Sequence, residues 1–271
     1  MKRTLAVLAL LGTSSAFRAQ AEEPFGLPLR GEAAETFLRT AAVMHKKGLG
    51  RGITHSEQYT LSDGSQTHRA VWKTIDEFKP GLSSLEGGAV IMDFTDSYKN
   101  EIAAYELDKL LGLELVPPTV ERTFGRTTGS LQMWVESAMT EADRKQRKIE
   151  PSDVQAWNGQ MYKVRLLHQL TYDTDSRNIN NVLVDPSFRV YAIDFSRSFL
   201  GYSDLPSEKE LVRFPRAALE ALKALDRPTL DARLGRWLRG PQIQGILKRR
   251  DKVLAVAARR VQEQGEAAVL Y

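Results

Sequence analysis

The strongest constraint on this chain's fold is a change of apolar period part-way along it. The segment ITHSEQYTLSDGSQTHRAVWKTID reads as two strands joined at Ser62-Asp63-Gly64, where Asp-Gly supplies the positive φ of a hairpin turn. In the second of these strands Arg69, Val71 and Lys73 share one face, and Ala70, Trp72 and Thr74 the other. A further strand, GGAVIMDF, leads into one helix in which Ile102, Ala103, Leu107, Leu110 and Leu111 fall on one face. Gly112 stops that helix, VPPTVER is too proline-rich to continue it, and TTGSLQMWVESAMTE follows as a strand. From Lys145 onward the spacing is mainly helical, through PSDVQAWNGQMYKVRLLHQLTYD, LPSEKELVRFPRAALEALKAL, TLDARLGRWL and PQIQGILKRRDKVLAVAARRVQEQG. At the front, EAAETFLRTAAVMHKK also reads as a helix, ending at Gly48. Strands gathered in one half and helices in the other argue for an α+β fold.

The N-terminus MKRTLAVLALLGTSSAFRAQA has a basic start at Lys2 and Arg3, an apolar core from Leu5 to Leu11 and a small-x-small end at Ala19-Gln20-Ala21. This is the pattern of a cleavable secretory signal, and its apolar core is too short to span a bilayer. The segment carries Lys2, Arg3 and Arg18 and no acid, so the chain's 38 bases less these three leave 35 against 34 acids. A nearly neutral mature chain gives no support to nucleic-acid binding. The absence of cysteine excludes disulfides, thiolate metal sites and a cysteine nucleophile. A chain of 271 residues buries a sufficient core without such staples, as one large domain or two lobes.

Acids and amides crowd the stretch TYDTDSRNINNVLVDPSFRVYAIDFSRSF, residues 171 to 199. It is not an EF-hand, since counting from Asp173 places Arg177, Asn178 and Val184 at the fifth, sixth and twelfth positions. No HExxH is present, and His45, His55, His68 and His168 have no ligand spacing. A G-x-S-x-G elbow, a GxGxxG and a Walker loop are also missing. What remains is an acid and amide loop, a strand, a turn at Asp185-Pro186-Ser187, a second strand, and Asp194-Phe195-Ser196. Phosphoryl transfer uses such a layout: an Asp for the acceptor hydroxyl, an Asn for a metal, and a second Asp after the hairpin for the metals bridging the phosphates. Asn181 directly precedes VLVD and Asp194 follows VYAI, so a hairpin would bring the two to one end.

At these residues the chain resembles the atypical branch of the protein-kinase-like superfamily: phosphoinositide 4-kinases, HipA-type kinases and the secretory-pathway casein and xylose kinases. The resemblance rests on AVWK at 70 to 73, EIAAYELDKLLGLELVPPTV at 101 to 120, DTDSRNINNVLVD at 173 to 185 and IDFSRSF at 193 to 199. It implies a two-lobed α+β fold, with a β-rich N-lobe carrying one αC-like helix and a mainly helical C-lobe. The corresponding boundaries are a signal at 1 to 21, a leader at 22 to 34, an N-lobe at 35 to 140 and a C-lobe at 141 to 271.

Carried over residue by residue, Lys73 resembles the lysine that contacts the α and β phosphates, and Glu101 the helix acid that pairs with it or reaches a metal. Glu106 competes, but five residues put it roughly 140° away around the helix, so only one of the two faces Lys73. Asp175 resembles the catalytic aspartate, Asn181 the metal-binding asparagine and Asp194 the second metal ligand. The kinase loop has four residues between Asp and Asn, whereas Asp175 and Asn181 enclose five. Pairing Asp175 with Asn180, or Asp173 with Asn178, restores the count, and Ser176 reads as a one-residue insertion if Asn181 is kept. Asp173, Asn178 and Asn180 also suit turn capping.

The third motif reads DFS rather than DFG, and the hairpin over the phosphates has a single glycine, Gly64. Met133 and Trp134 reach the interlobe hinge, where they would line an adenine pocket or pack the core. Lys248-Arg249-Arg250 reads as a solvated helix face. The resemblance implies ATP with Mg²⁺ or Mn²⁺ as cofactors, and a hydroxyl acceptor on a protein, a sugar or a lipid head group. With the signal it implies an exported phosphotransferase, periplasmic or secreted. The alternatives are a catalytically silent module that binds a nucleotide or protein partner, and an envelope protein whose acids only cap turns.

Overall fold

The computed structural model describes residues 25–50, 56–84 and 90–271. The proposed signal sequence lies outside the described residues. Helix α1 (Gly31–Thr40) is followed by strands β1 (Ala42–Gly48), β2 (Glu57–Ser62), β3 (Thr67–Lys73), β4 (Asp76–Ser84) and β5 (Val90–Ser97). Helix α2 (Tyr98–Leu111) then precedes β6 (Thr119–Phe124), β7 (Thr127–Met133) and β8 (Met139–Thr140). The second half holds α3 (Glu141–Gln146), α4 (Val154–Thr171), the hairpin β9 (Val182–Val184) and β10 (Val190–Ala192), and α5 (Arg216–Ala224). Helices α6 (Arg227–Leu234), α7 (Gly240–Gln264) and α8 (Glu266–Val269) complete it. This is a two-lobed α+β arrangement.

The N-lobe sheet is antiparallel in the order β1-β2-β3-β7-β6. Its core joins Phe37 and Leu38 of α1 to Tyr59, Leu61, Ala70, Trp72, Val120, Leu131 and Met133. The turn between β2 and β3 contains Gly64 at φ +92°, as Asp-Gly implies. Asp63 accepts from the backbone N–H of Ser65 and Gln66. Those hydrogen bonds hold its carboxyl far below the ordinary range, so the acid is committed to its own turn.

Two sequence expectations need correction. The front helix ends at Thr40 rather than Gly48. Ala41 is extended, Arg122 donates to the carbonyls of Leu38 at 2.7 Å and Ala41 at 2.6 Å, and the next residues pair with β2. Tertiary pairing thus overrides local helix propensity. Arg249 is fully buried rather than solvated. It donates to the carbonyls of Leu170 and Leu200 at 2.9 and 3.0 Å, and also to that of Tyr202.

Helix α2 starts on Ser97, whose side chain accepts from Lys99 N–H, and ends on Gly112 at φ +62°. It is buried on nearly every side: Ala103, Ala104, Leu107 and Leu111 join the C-lobe core with Leu166, Leu170, Val190, Phe195 and Leu222. Asn100, Glu101, Glu106 and Asp108 are buried as well, and each has partners. Glu106 meets Lys109 at 3.1 Å and Arg233 of α6 at 2.5 Å. Asp108 accepts from the N–H groups of Leu115 and Val116. The helix is therefore wedged between the lobes and holds them in register.

Residues 26 to 30 strap the hinge. Gly26 and Glu136 exchange two backbone hydrogen bonds of 2.8 Å, and Arg30 donates to Tyr191 Oη at 3.2 Å. Gly26 has φ +71°, and a Cβ there would lie 2.8 Å from Asp185 Oδ2, so both conformation and space call for glycine.

Candidate active site

Alternation along β3 turns Lys73 away from the N-lobe core, which Trp72 enters. Its Nζ lies 2.5 Å from Glu101 Oε1 and 2.7 Å from Asp194 Oδ1. Glu101 stands in the first turn of α2, and its other oxygen accepts from the Phe195 N–H at 3.1 Å. One buried carboxylate therefore fixes both the lysine and the backbone after Asp194. Glu106 points to Arg233 instead, so Glu101 is the acid that meets Lys73.

Burial opposes charge on Lys73, but Glu101 and Asp194 outweigh it and hold the ammonium above its ordinary range. Burial pushes the Glu101 carboxyl up, Lys73 pulls it down, and Asp194 pushes it up again. We read the three as a charged cluster, because a lysine within hydrogen-bond reach of two carboxylates keeps its proton.

The loop after α4 brings the second group together. Asn181 Nδ2 donates to Asp175 Oδ2 at 3.0 Å, and Asn178 Nδ2 donates to the same oxygen at 2.9 Å. Asn180 is exposed and bonds Asn178. The side chain that faces Asp175 from the head of β9 is thus Asn181, with the extra residue absorbed in a 3₁₀ turn, Ile179–Asn181. Ile193 N–H donates to the Asn181 carbonyl at 3.0 Å, so the β9–β10 hairpin carries Asn181 and Asp194 to one end.

Asp173 lies behind Asp175. It is buried, and its Oδ1 accepts the Asp175 N–H at 3.0 Å. Burial pushes its carboxyl up to about 7, against the pull of that N–H. Neighbouring His168 is pushed down to about 4 by burial and is neutral at pH 7. Sequence reasoning treated Asp173 as a turn residue or an alternative base, and the structure makes it a buried support for the loop.

Ser196, at the position of the DFG glycine, is buried and has no positive φ; Asp194 at φ +67° and Phe199 at φ +65° take the left-handed conformations. A serine therefore costs the backbone nothing there. Met133 is 1% exposed in the N-lobe core. Trp134 is half-buried beneath Arg69, which pairs with Glu136 at the hinge. Arg69 and Glu136 carried no sequence signal, because their meeting depends on the hinge bending back beside β3.

Three solved structures share this architecture. Hydra Fam20, solved with a sugar, matches at TM-score 0.64 and 14% identity, over 90% of this chain and 93% of that one. A Golgi casein kinase matches at TM-score 0.61 and 15% identity, over 89% of this chain and 78% of that one. The chain has an atypical protein-kinase-like fold. The Helicobacter pylori proinflammatory kinase CtkA matches the same kinase-like lobes at TM-score 0.51 and 12% identity, over 84% of this chain and 98% of that one. No protein-family model matches the chain, and no curated protein matches it by sequence.

Among the described residues no group of three or more His, Cys, Asp or Glu side chains forms a ready metal cage. Mg²⁺ bound with a nucleotide needs only one or two protein carboxylates, because phosphate and water supply the other oxygens. The Asp194 carboxylate and the Asn181 amide oxygen are hard donors at one hairpin end, and they fit that requirement.

Proposed function

We propose that this chain is an exported phosphotransferase that moves the γ-phosphoryl group of ATP to a hydroxyl acceptor. The observation that carries the reading is the meeting of Lys73 with Glu101 and Asp194 beside the facing pair Asp175 and Asn181. Lys73 would turn from Asp194 to the α and β phosphates while Glu101 keeps its orientation. Asp175 would accept the proton of the attacking hydroxyl, held in place by its N–H bond to Asp173 and by the Asn178 amide. Asn181 and Asp194 would hold Mg²⁺ or Mn²⁺, which neutralises the charge developing on the phosphates. Positioning and charge neutralisation are most of what such a transfer requires.

Export rests on the N-terminal signal pattern, and among the described residues no helix is long and apolar enough to cross a membrane. One structural neighbour was solved with a sugar and another is a casein kinase, so sugar and protein hydroxyls are the first acceptors to offer, before lipid head groups. The single-glycine hairpin and the longer catalytic loop favour a second reading, a silent module that binds a metal nucleotide without turnover.

The test is thermal stabilisation of the chain from residue 22 by ATP with Mn²⁺ or Mg²⁺, followed by transfer from labelled ATP. Stabilisation and transfer lost together in Asp194→Ala support the phosphotransferase. Metal-dependent stabilisation lost in that variant, with no transfer to any acceptor, supports the silent module. If neither ATP nor GTP stabilises the protein with either metal, both readings fall.

A further inference from the structure

The residue before Glu101 has no role in the chemistry above, yet it is a buried amide with three acceptors around it. Asn100 Nδ2 lies 2.7 Å from the Ser196 carbonyl, 3.1 Å from the Ser198 carbonyl and 3.3 Å from Thr95 Oγ1. Its two protons therefore clamp the backbone immediately after Asp194. The same segment is stitched elsewhere by backbone hydrogen bonds and an ion pair. Ser97 N–H donates to the Ser196 carbonyl at 2.9 Å, Arg197 Nε to Asp96 at 2.8 Å, and Phe199 N–H to the Thr171 carbonyl at 2.5 Å. Ile91 and Phe94 of β5 pack on Leu200.

We propose that Asn100 is a positioning residue: its clamp on the Ser196 and Ser198 carbonyls holds Asp194 toward the metal site, so the site stands assembled without a phosphorylated activation segment. The proposal rests on the phosphotransferase reading. Kinases that switch order this segment through arginine–phosphate pairs and move the αC-like helix. Here α2 is wedged between the lobes, and consecutive residues of its first turn reach the segment, Asn100 to the carbonyls and Glu101 to the Phe195 N–H. Removing the Asn100 amide leaves the Ser198 carbonyl without its donor. An aspartate in its place also sets a negative oxygen against two carbonyl oxygens.

The test compares wild type with Asn100→Asp and Asn100→Ala, and with Thr95→Val as a control that spares both carbonyl bonds. Two readouts are used: the Mn²⁺ half-saturation of ATP-dependent thermal stabilisation, and amide hydrogen exchange without nucleotide. The clamp predicts at least a tenfold rise in Mn²⁺ half-saturation in both Asn100 variants. It also predicts at least tenfold faster exchange at Phe195, Ser198 and Phe199, with β6 and β7 unchanged and Thr95→Val like wild type. Variants that melt earlier but keep wild-type half-saturation and exchange would make Asn100 merely structural and overturn the proposal. Should Asn100→Asp fail to fold, Asp96→Asn loosens the same segment through Arg197, and it must show the same pattern in milder form. Phosphatase treatment of wild type should leave transfer unchanged, and loss of transfer would refute the absence of a switch. If wild type binds no metal nucleotide, the phosphotransferase reading fails by itself, and the exchange comparison still decides the clamp.

Discussion

Replacing Asp173 by asparagine separates a supporting carboxyl from a catalytic one. Asp173 is 5% exposed, and burial holds its pKa at about 7 against an ordinary 3.8. Between those values the folded protein keeps a proton that the unfolded chain has lost. Stability therefore falls as pH rises from about 4 to about 7, and the loss is complete above 7. A difference of three units corresponds to about 4 kcal/mol, which in a protein of this size shifts the melting temperature by on the order of 10 °C. The amide oxygen of the substituted side chain still accepts the Asp175 N–H, so Asp173→Asn should remove this pH dependence while leaving transfer largely intact. Melting scans of both proteins from pH 4 to pH 8 should diverge, the variant gaining steadily on wild type; other titrating groups cancel in the difference. Parallel curves would refute the buried-carboxyl account. Transfer that collapses in Asp173→Asn but survives in Asp175→Asn would move the base to Asp173, whereas an Asp175 base predicts a loss of 10²- to 10⁴-fold in Asp175→Asn.

Other substitutions probe the frame of the site. Lys73→Met leaves Glu101 buried beside Asp194 without its cation, so urea unfolding should show a loss of about 3 to 5 kcal/mol. Adding Glu101→Gln should recover part of that loss, and no recovery would mean that the two do not interact as an ion pair. Gly129→Ala places a Cβ 2.2 Å from the Lys73 carbonyl, which should cost about 1 to 3 kcal/mol and raise the KM for ATP. Gly26→Ala forces a side chain into a left-handed backbone beside Asp185 and Tyr191, and should cost about 1 to 3 kcal/mol by denaturant titration.

Much of this arrangement was legible in local chemistry. Asp63-Gly64 marked the β2–β3 turn and Gly112 the end of α2, because each acts through its local backbone. The site residues Lys73, Glu101 and Asp194 were named from short motifs, and the structure brings them within hydrogen-bond reach. What was hidden depends on partners far away in the chain. Ala42–Gly48 becomes a strand only because β2 is there to pair with it. The spacing of α2 marked one apolar face, and nothing in it showed that Asn100, Glu106 and Asp108 would be buried, because their partners Ser196, Arg233 and Leu115 come from other parts of the chain. Asn181 was named beside Asp175 from its place at the head of a strand, but where the extra residue goes was not legible, because a 3₁₀ turn absorbs it without any change of composition.

The strap across the hinge bears on how the molecule is made. Gly26 waits for Glu136, and Arg30 for Tyr191, 161 positions later. Synthesis delivers the strap first, yet its partners arrive only when most of the chain has followed, and closing such a long loop is slow. A nascent or truncated chain lacking the β9–β10 hairpin has neither Asp194 to complete the charge cluster nor Tyr191 to receive the strap. The last partner of the strap and the last member of the charge cluster thus arrive on the same hairpin, so a chain that stops short of it completes neither.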